Sequence, residues 1–365
     1  MHRKDAIAWV VSVCAGSLRL SQAKTLAILV AAAMRVERIS LANIGRQMLG
    51  TAKHQIKRCW RFCANERIET ADAMKGVLAK VLKKRKKKLL ISFDWTDIKG
   101  FQTLVASAVL KGRSVPICWA SCNKNMYDLF KSRNGFEESL LLVLRSMIPQ
   151  QVKVIILGDR GFGRTELARF CQKQGFHYII RIQPNVHVHC GSYKGKLSLY
   201  PVSKGTRKLL KSVAYRSHHA VTQNIVIRWV RDLPEKRDEC WFLMTDLAAG
   251  PAQISHLYGR RMSIEELFRD QKNKRNGWGL RNTKITQADR LDRLLLILAI
   301  AYLLLCGIGL IAQQTRKPAE WSSSTANQCS VFTIGRIMLT RIQTTATQAF
   351  TALIVATEEV IPKWG

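Results

Sequence analysis

The sequence predicts an α/β protein: a mixed sheet flanked by helices, interrupted by a β-rich insertion and preceded by an all-α N-terminal segment. Three observations carry that expectation. Apolar spacing is helical over residues 1–88. From Leu89 onward, short apolar runs bounded by turn residues alternate with amphipathic stretches. Residues 183–250 are turn-rich and strand-like before a long helical stretch resumes near Ile254. The chain has 365 residues, 47% hydrophobic and 23% charged, enough to bury sizeable cores. Lysine and arginine number 59 against 25 aspartates and glutamates, a formal net charge of +34. A field of that sign and size draws polyanions, so a nucleic-acid protein is expected rather than an ordinary metabolic enzyme.

In the N-terminal segment, 1–88, Ser21 is the expected N-cap of a helix over 23–36, and Ser40 of one over 41–49. The turn Gly50-Thr51 then leads into Lys53–Cys63, so the segment reads as helix, turn, helix. Its second helix sets Lys53, Lys57 and Arg61 at four-residue steps, with His54 and Arg58 beside them and Ile56, Cys59 and Cys63 facing inward. A helix-turn-helix offers one basic helix to DNA in this manner, and a solvated helix in a bundle has the same stripe. Lys83 to Lys88 are six consecutive cations. Residues 1–23 outline a signal peptide, but Asp5 and a second helical stretch from Ser21 to Arg38 favour a helical domain. The ten cysteines lack framework spacing and are expected as reduced thiols. Cys59-x3-Cys63, Cys118-x3-Cys122 and His187-x-His189-Cys190 lack a paired second half-site and read as packing rather than metal ligands.

Over 89–182 the expected order is β-β-β-α-β-α-β. Strands are expected at Leu89–Asp94, Phe101–Leu110, Val115–Cys122, Val152–Leu157 and His177–Ile182, and helices at Phe136–Met147 and Thr165–Gly175. The insertion, 183–250, includes alternating Val221–Val230 and the run Cys240–Met244. Residues 251–312 return to helix. There, Leu294–Ala312 is uncharged for nineteen residues, long enough to span a bilayer. The polar helical stretch before it, with Gly307 and Gly309 inside it, favours a helix buried at the centre of a domain. Residues 313–365 hold a polar stretch, Trp321–Gln328, and a helical tail suited to dimerisation.

Asp94 and Asp159 stand at the carboxyl ends of expected strands, where open α/β sheets place functional groups. A third acid comes from the stretch Leu257–Lys272. On a continuous helix, Tyr258, Arg261, Glu265 and Lys272 fall within an arc of about 60°. Glu266 and Asp270 point away, and Leu257, Ile264 and Phe268 form an adjacent apolar face. A carboxylate among a phenol, a guanidinium and an ammonium suits phosphate handling, although salt-bridged surface helices also carry such pairs. Asp97, three residues after Asp94, is expected on the opposite strand face. Three carboxylates can hold two Mg²⁺ ions, with Mn²⁺ as substitute, and two such ions activate the nucleophile and stabilise the leaving oxygen at a phosphodiester.

Tyr-x2-Arg-x3-Glu-x6-Lys, present as Tyr258, Arg261, Glu265 and Lys272, resembles the signature of the insertion sequence 4 family of bacterial DDE transposases. Asp159-Arg-Gly-Phe162 and Phe93-Asp-Trp-Thr96 are similar to that family's second-acid and first-acid motifs. Lys53-His54-x-Ile56-Lys57-Arg58 with Arg61-Phe62-x-x-Asn65 is similar to its N-terminal segment, and Trp241–Thr245 to the end of its β-rich insertion. The resemblance spans about 50–350. It implies a ribonuclease H-like core and cut-and-paste transposition by a homodimer on paired transposon ends. It further implies a hairpin intermediate, double-stranded end and target DNA as partners, no membrane, and a bacterial cytoplasmic, nucleoid-associated setting. By the same resemblance Trp241 would stack an extruded base, although Trp-Phe-Leu-Met also reads as core, and Trp229 competes for that role. Some relatives place a tryptophan directly after the signature arginine, where this chain has Met262. Two other readings compete: a metal-dependent nuclease or resolvase that does not transpose, and an inactive basic DNA-binding protein.

Overall fold

The computed structural model describes residues 1–83, 88–110, 113–123, 132–216, 221–232, 237–275, 277–280, 283–323 and 329–358. Most of the Lys83–Lys88 run, part of the turn at 111–114 and part of the Trp321–Gln328 stretch lie outside them. Five helices come first: α1 (Arg3–Cys14), α2 (Leu20–Ala33), α3 (Leu41–Arg46), α4 (Ala52–Cys63) and α5 (Thr70–Lys83). Next are β1 (Lys88–Ile98), β2 (Phe101–Val109), β3 (Ser114–Cys122), α6 (Arg133–Met147), β4 (Lys153–Gly158), α7 (Thr165–Lys173) and β5 (Phe176–Arg181). That is the expected β-β-β-α-β-α-β order. Strands β6 (His187–Cys190), β7 (Tyr193–Lys196), β8 (Arg207–Tyr215), β9 (Val221–Asp232) and β10 (Arg237–Thr245) follow. Helices α8 (Pro251–Gly259), α9 (Ser263–Lys272), α10 (Ala288–Thr315), α11 (Val331–Met338) and α12 (Ala346–Glu358) close the order.

Among the described residues the ten strands belong to one sheet, ordered β3-β2-β1-β4-β5-β10-β9-β8-β6-β7. β1, β2 and β3 are an antiparallel meander, whereas β4 and β5 run parallel to β1. The insertion therefore extends the sheet rather than standing apart from it: β10 returns antiparallel to β5 over Leu243↔Arg181, Met244↔Ile180 and Thr245↔Ile179. Alternation along the strands divides the sheet into two faces. Leu89, Ile91 and Phe93 enter the large core under α6 and α10. Leu90, Ile155, Leu157, Ile179, Val226 and Leu243 pack with Ile254, Leu257 and Tyr258 of α8. The N-terminal helices share the large core with α10 and α12. Arg293 of α10 donates to the carbonyls of Cys63 (2.9 Å) and Ile68 (3.3 Å), and the Met1 amine to that of Leu339 (2.7 Å).

Several local expectations shift. Ser40 caps α3 by accepting from Asn43 N (3.0 Å), but Ser21 caps nothing. α2 begins one residue before it, and Gln22 Oε1 accepts from Arg19 N (3.1 Å), supplying the acceptor from inside the first turn. α3 stops at Arg46 rather than 49, short of Gly50, whose φ is +103°. β1 does not stop at Asp94: it runs four residues further because the Lys99-Gly100 turn folds β2 back onto it. α10 alone among the described residues is long and apolar enough to cross a membrane, and 89% of its most apolar window is buried inside the fold.

Candidate active site

The β1–β4 ladder ends at Phe93↔Gly158, so Asp94 and Asp159 follow on neighbouring strands at the same level. Both continue the parity of Leu90 and Leu157, on the face covered by α8. Asp94 therefore sits mid-strand, yet at the point where its parallel partner ends. Its Oδ1 accepts from Trp95 N (2.8 Å), and Asp159 Oδ1 accepts from Gly161 N (2.8 Å), opening a tight turn over Arg160–Phe162.

The signature residues do not lie on one continuous α-helix. α8 ends at Gly259, Arg260–Met262 form a 3-10 turn, and α9 starts at Ser263. A 3-10 turn advances more degrees per residue than an α-helix, so a continuous helical wheel does not apply across it. Two of the four side chains, Arg261 and Lys272, reach β1 all the same, and Tyr258 and Glu265 meet Arg261. Arg261 donates to Asp94 Oδ2 (2.9 Å) and Glu265 Oε1 (2.8 Å), and its guanidinium also faces the Tyr258 hydroxyl. Lys272 Nζ donates to Thr96 Oγ1 (2.8 Å), two residues beyond Asp94 on the same strand face. Leu257, Ile264 and Phe268 are buried as expected, and Met262 is exposed.

Burial pushes the Asp94 carboxyl up to about 6. Arg261 pulls against that, Asp159 adds to it, and the Trp95 N–H opposes it. Burial likewise lifts the Tyr258 phenol to about 12, so it stays a hydrogen-bond donor at neutral pH. The side chain of Glu265 is more open, 43% exposed, against 17% for Asp94. Carboxylate oxygens are the right kind of donor for Mg²⁺. Among the described residues, however, no three His, Cys, Asp or Glu side chains are grouped closely enough to hold a cation, and Arg261 bridges Asp94 and Glu265.

The remaining acids are occupied. Asp97 accepts from Gly100 N (3.2 Å) and Gln102 Nε2 (3.1 Å), stapling the β1–β2 hairpin. Glu266 pairs with Arg269 (2.8 Å). Asp270 faces inward, accepting from Arg113 Nε (3.1 Å), Tyr302 OH (2.8 Å) and Ser330 Oγ (3.2 Å).

Trp241 is half-buried on β10, edge-on to Tyr258 with centroids 5.2 Å apart. The guanidiniums of Arg228 and Arg181 lie 5.2 and 5.8 Å from its ring. Trp229, next to Arg228 on β9, takes the opposite face by alternation, and Lys204 Nζ is 5.8 Å from its ring. The basic stripe is elsewhere, on α4. Lys53, Lys57 and Arg61 are exposed there, and Arg58 is half-buried against Thr25 Oγ1 (3.2 Å). Cys59, Phe62 and Cys63 are buried beneath, whereas Ile56 is half-buried. A Cβ at Gly45 would come within 2.7 Å of Ile56 N, so glycine permits the close approach of α3 and α4.

No residue pattern announces the cluster on the opposite face of β1 beside Asp94. Glu137 of α6 is buried and accepts from Trp95 Nε1 (2.8 Å) and from Arg164, in the β4–α7 connection. It thereby ties together the two segments that carry the strand acids.

The sequence model of the transposase DDE domain family matches residues 85–304, the span that holds both strand acids and the α8–α9 signature. The chain belongs to that family. No curated protein matches it. In this transposase DDE domain the order β3-β2-β1-β4-β5, with β1, β4 and β5 parallel, is consistent with a ribonuclease H-like core. DDE transposase domains act on DNA and generally use divalent metal ions.

Proposed function

We propose that this protein is the transposase of an insertion sequence of the insertion sequence 4 type. It would bind the terminal inverted repeats as a homodimer, cleave each end through a hairpin and join the freed element to target DNA. One observation carries the reading: Asp94 and Asp159 stand abreast at the end of the β1–β4 ladder, with Glu265 joined to Asp94 through Arg261. In the proposed reaction Asp94, Asp159 and Glu265 hold the divalent ions. Bound Mg²⁺, or Mn²⁺ in its place, supplies a more acidic attacking hydroxyl and charge stabilisation of the leaving oxygen. For Glu265 to serve, Arg261 must release it, and a DNA phosphate is the anion that replaces the carboxylates around the guanidinium. Tyr258 donates its hydroxyl hydrogen, and Lys272 adds a cation beyond Asp94. Lys53, Lys57, Arg58 and Arg61 are the proposed contacts of α4 to the end duplex. Trp241, edge-on to Tyr258 and beside the Arg228 and Arg181 guanidiniums, would stack an extruded base that displaces a cation from its ring, a contact worth about 1–3 kcal/mol.

A gel-shift and nicking assay on a duplex carrying the element's end tests the assignment. Asp94→Asn, Asp159→Asn and Glu265→Gln each lower Mg²⁺-dependent nicking by more than about a hundredfold while end binding persists. Robust nicking by Glu265→Gln removes the triad and turns attention to Glu266. Trp241→Ala keeps first-strand nicking and loses the hairpin product. Normal hairpin yield from a folded variant excludes the stacking role.

A further inference from the structure

The strand register places a second group of charged residues beside the acids. One residue before Asp94 and Asp159, the pairs Gly158↔Ile180, Met244↔Ile180 and Met244↔Ile225 carry one line across β4, β5, β10 and β9. Three residues beyond that line, on the face of the two acids, Trp241 pairs with Arg228, and Arg228 pairs with Arg207. Trp241, Arg228 and Arg207 are thus a cross-strand row at the end of the sheet where the acids sit. Arg207 is exposed and Arg228 half-buried. Two like charges placed directly across a ladder repel, and burial, with the Arg207 charge adding to it, makes the Arg228 guanidinium harder to keep protonated. Arg228 is nevertheless held in place. It donates to Ser255 O of α8 (3.3 Å), and its guanidinium lies against Trp241. A guanidinium held in place beside an aromatic ring, with an exposed second guanidinium directly across the ladder and the acids on the same sheet face, is suited to an anion that enters between the two cations.

We infer that Arg228 and Arg207 form a phosphate seat for the DNA backbone to one side of the scissile phosphate. The inference rests on the transposase reading above and adds to it where the flanking strand runs. Three strand spacings separate β4 from β9, roughly 14 Å, which corresponds to about four base pairs of duplex axis. The seat and the acid row share one sheet, so the distance between cleavage point and anchored phosphate is fixed by backbone hydrogen bonds rather than by a linker.

The test uses the full chain and end duplexes in which single phosphates are replaced, one at a time, by uncharged methylphosphonate. For the wild-type protein we expect binding to weaken at one or two positions about four nucleotides from the cleavage site. The double variant Arg228→Gln/Arg207→Gln should lose that sensitivity, and its slope of log affinity against log salt should fall by up to about 2. Arg228→Lys/Arg207→Lys should keep most of the slope. A wild-type scan with no sensitive position in that window overturns the seat without any variant, as does a folded double variant with the wild-type slope and scan. Mg²⁺-dependent nicking by the wild-type protein separates the outcomes. If nicking is intact, only the seat fails; if the wild type neither binds nor nicks the ends, the underlying reading fails with it.

Discussion

Asp94 and Trp95 are neighbours on β1 that face opposite ways, and their two surroundings are built on opposite terms. Asp94 faces a partly open edge, where its main partner is Arg261, a residue shared with the more exposed Glu265. Trp95 faces a cluster built around a buried acid. Its Nε1 donates to Glu137, its ring lies 5.4 Å from that of Phe136, and the Arg133 guanidinium lies 4.8 Å from the ring. Glu137 is 2% exposed and also binds Arg164. One face holds contacts that a phosphate can exchange, and the other holds contacts with no substitute at hand. The chemistry proposed for the first would depend on the rigidity of the second, because the backbone that positions Asp94 is pinned one residue away.

That contrast predicts a ranking of effects. Glu137→Ala removes a buried carboxylate and leaves Arg164 and the Trp95 N–H facing a void, so it should cost about 3–5 kcal/mol in urea unfolding. A cost near that of an ordinary surface change would mean that the Glu137 cluster does not brace the strand that carries Asp94. Asp292 comes next. It is buried on α10 with Oδ2 accepting from Ser121 N (3.1 Å) and Oδ1 buried without a hydrogen-bond partner, and burial lifts its carboxyl to about 7. A raised carboxyl favours the folded state at low pH, and that advantage is lost as pH climbs from about 4 through about 7. Asp292→Asn should therefore unfold at higher urea than wild type at pH 8, by about 2–4 kcal/mol, with the gap closing near pH 4. A gap that does not change with pH would show that Asp292 is already neutral or already compensated. The smallest effect on stability belongs to α4. Replacing Lys53, Lys57, Arg58 and Arg61 together by alanine should shift unfolding by no more than about 1 kcal/mol. The same change should flatten the salt dependence of end binding by about 3–4 log units per log unit. A wild-type salt slope would remove α4 from the DNA interface.

Much of the acid edge was legible because an apolar run that reaches a carboxylate marks a buried strand leaving the core. Asp159 follows that rule at the end of β4, whereas Asp94 lies four residues before the end of β1, where only its parallel partner stops. The signature was legible by residue type rather than by geometry, since the 3-10 turn at Arg260–Met262 breaks the wheel that first grouped its members. Glu137 could not be read, because an acid on an amphipathic helix has the same pattern whether it meets water or a buried arginine. Arg228 and Arg207 were hidden for a different reason. Their adjacency depends on the register of β8, β9 and β10, and register is set by turns and facing residues that the local sequence does not show. Ser21 misled because Gln22 offered a competing acceptor one residue on.

The burial of α10 has a consequence for how the protein is made. Its stretch Leu294–Ala312 is apolar on every side, and α11 and α12, which follow it in the chain, pack against the helix. The fit is close: a Cβ at Gly307 or Gly309 would meet the backbone carbonyls of Ala349 and Val331 at 2.1 and 1.8 Å. On the ribosome, roughly 40 further residues must emerge before that cover exists, about 2–8 seconds at 5–20 residues per second. During that interval the nascent chain displays a segment as greasy as a membrane anchor. A product broken off before α12 would keep that display permanently and become a substrate for chaperones and proteases, so fragments holding every acid of the site would still be cleared.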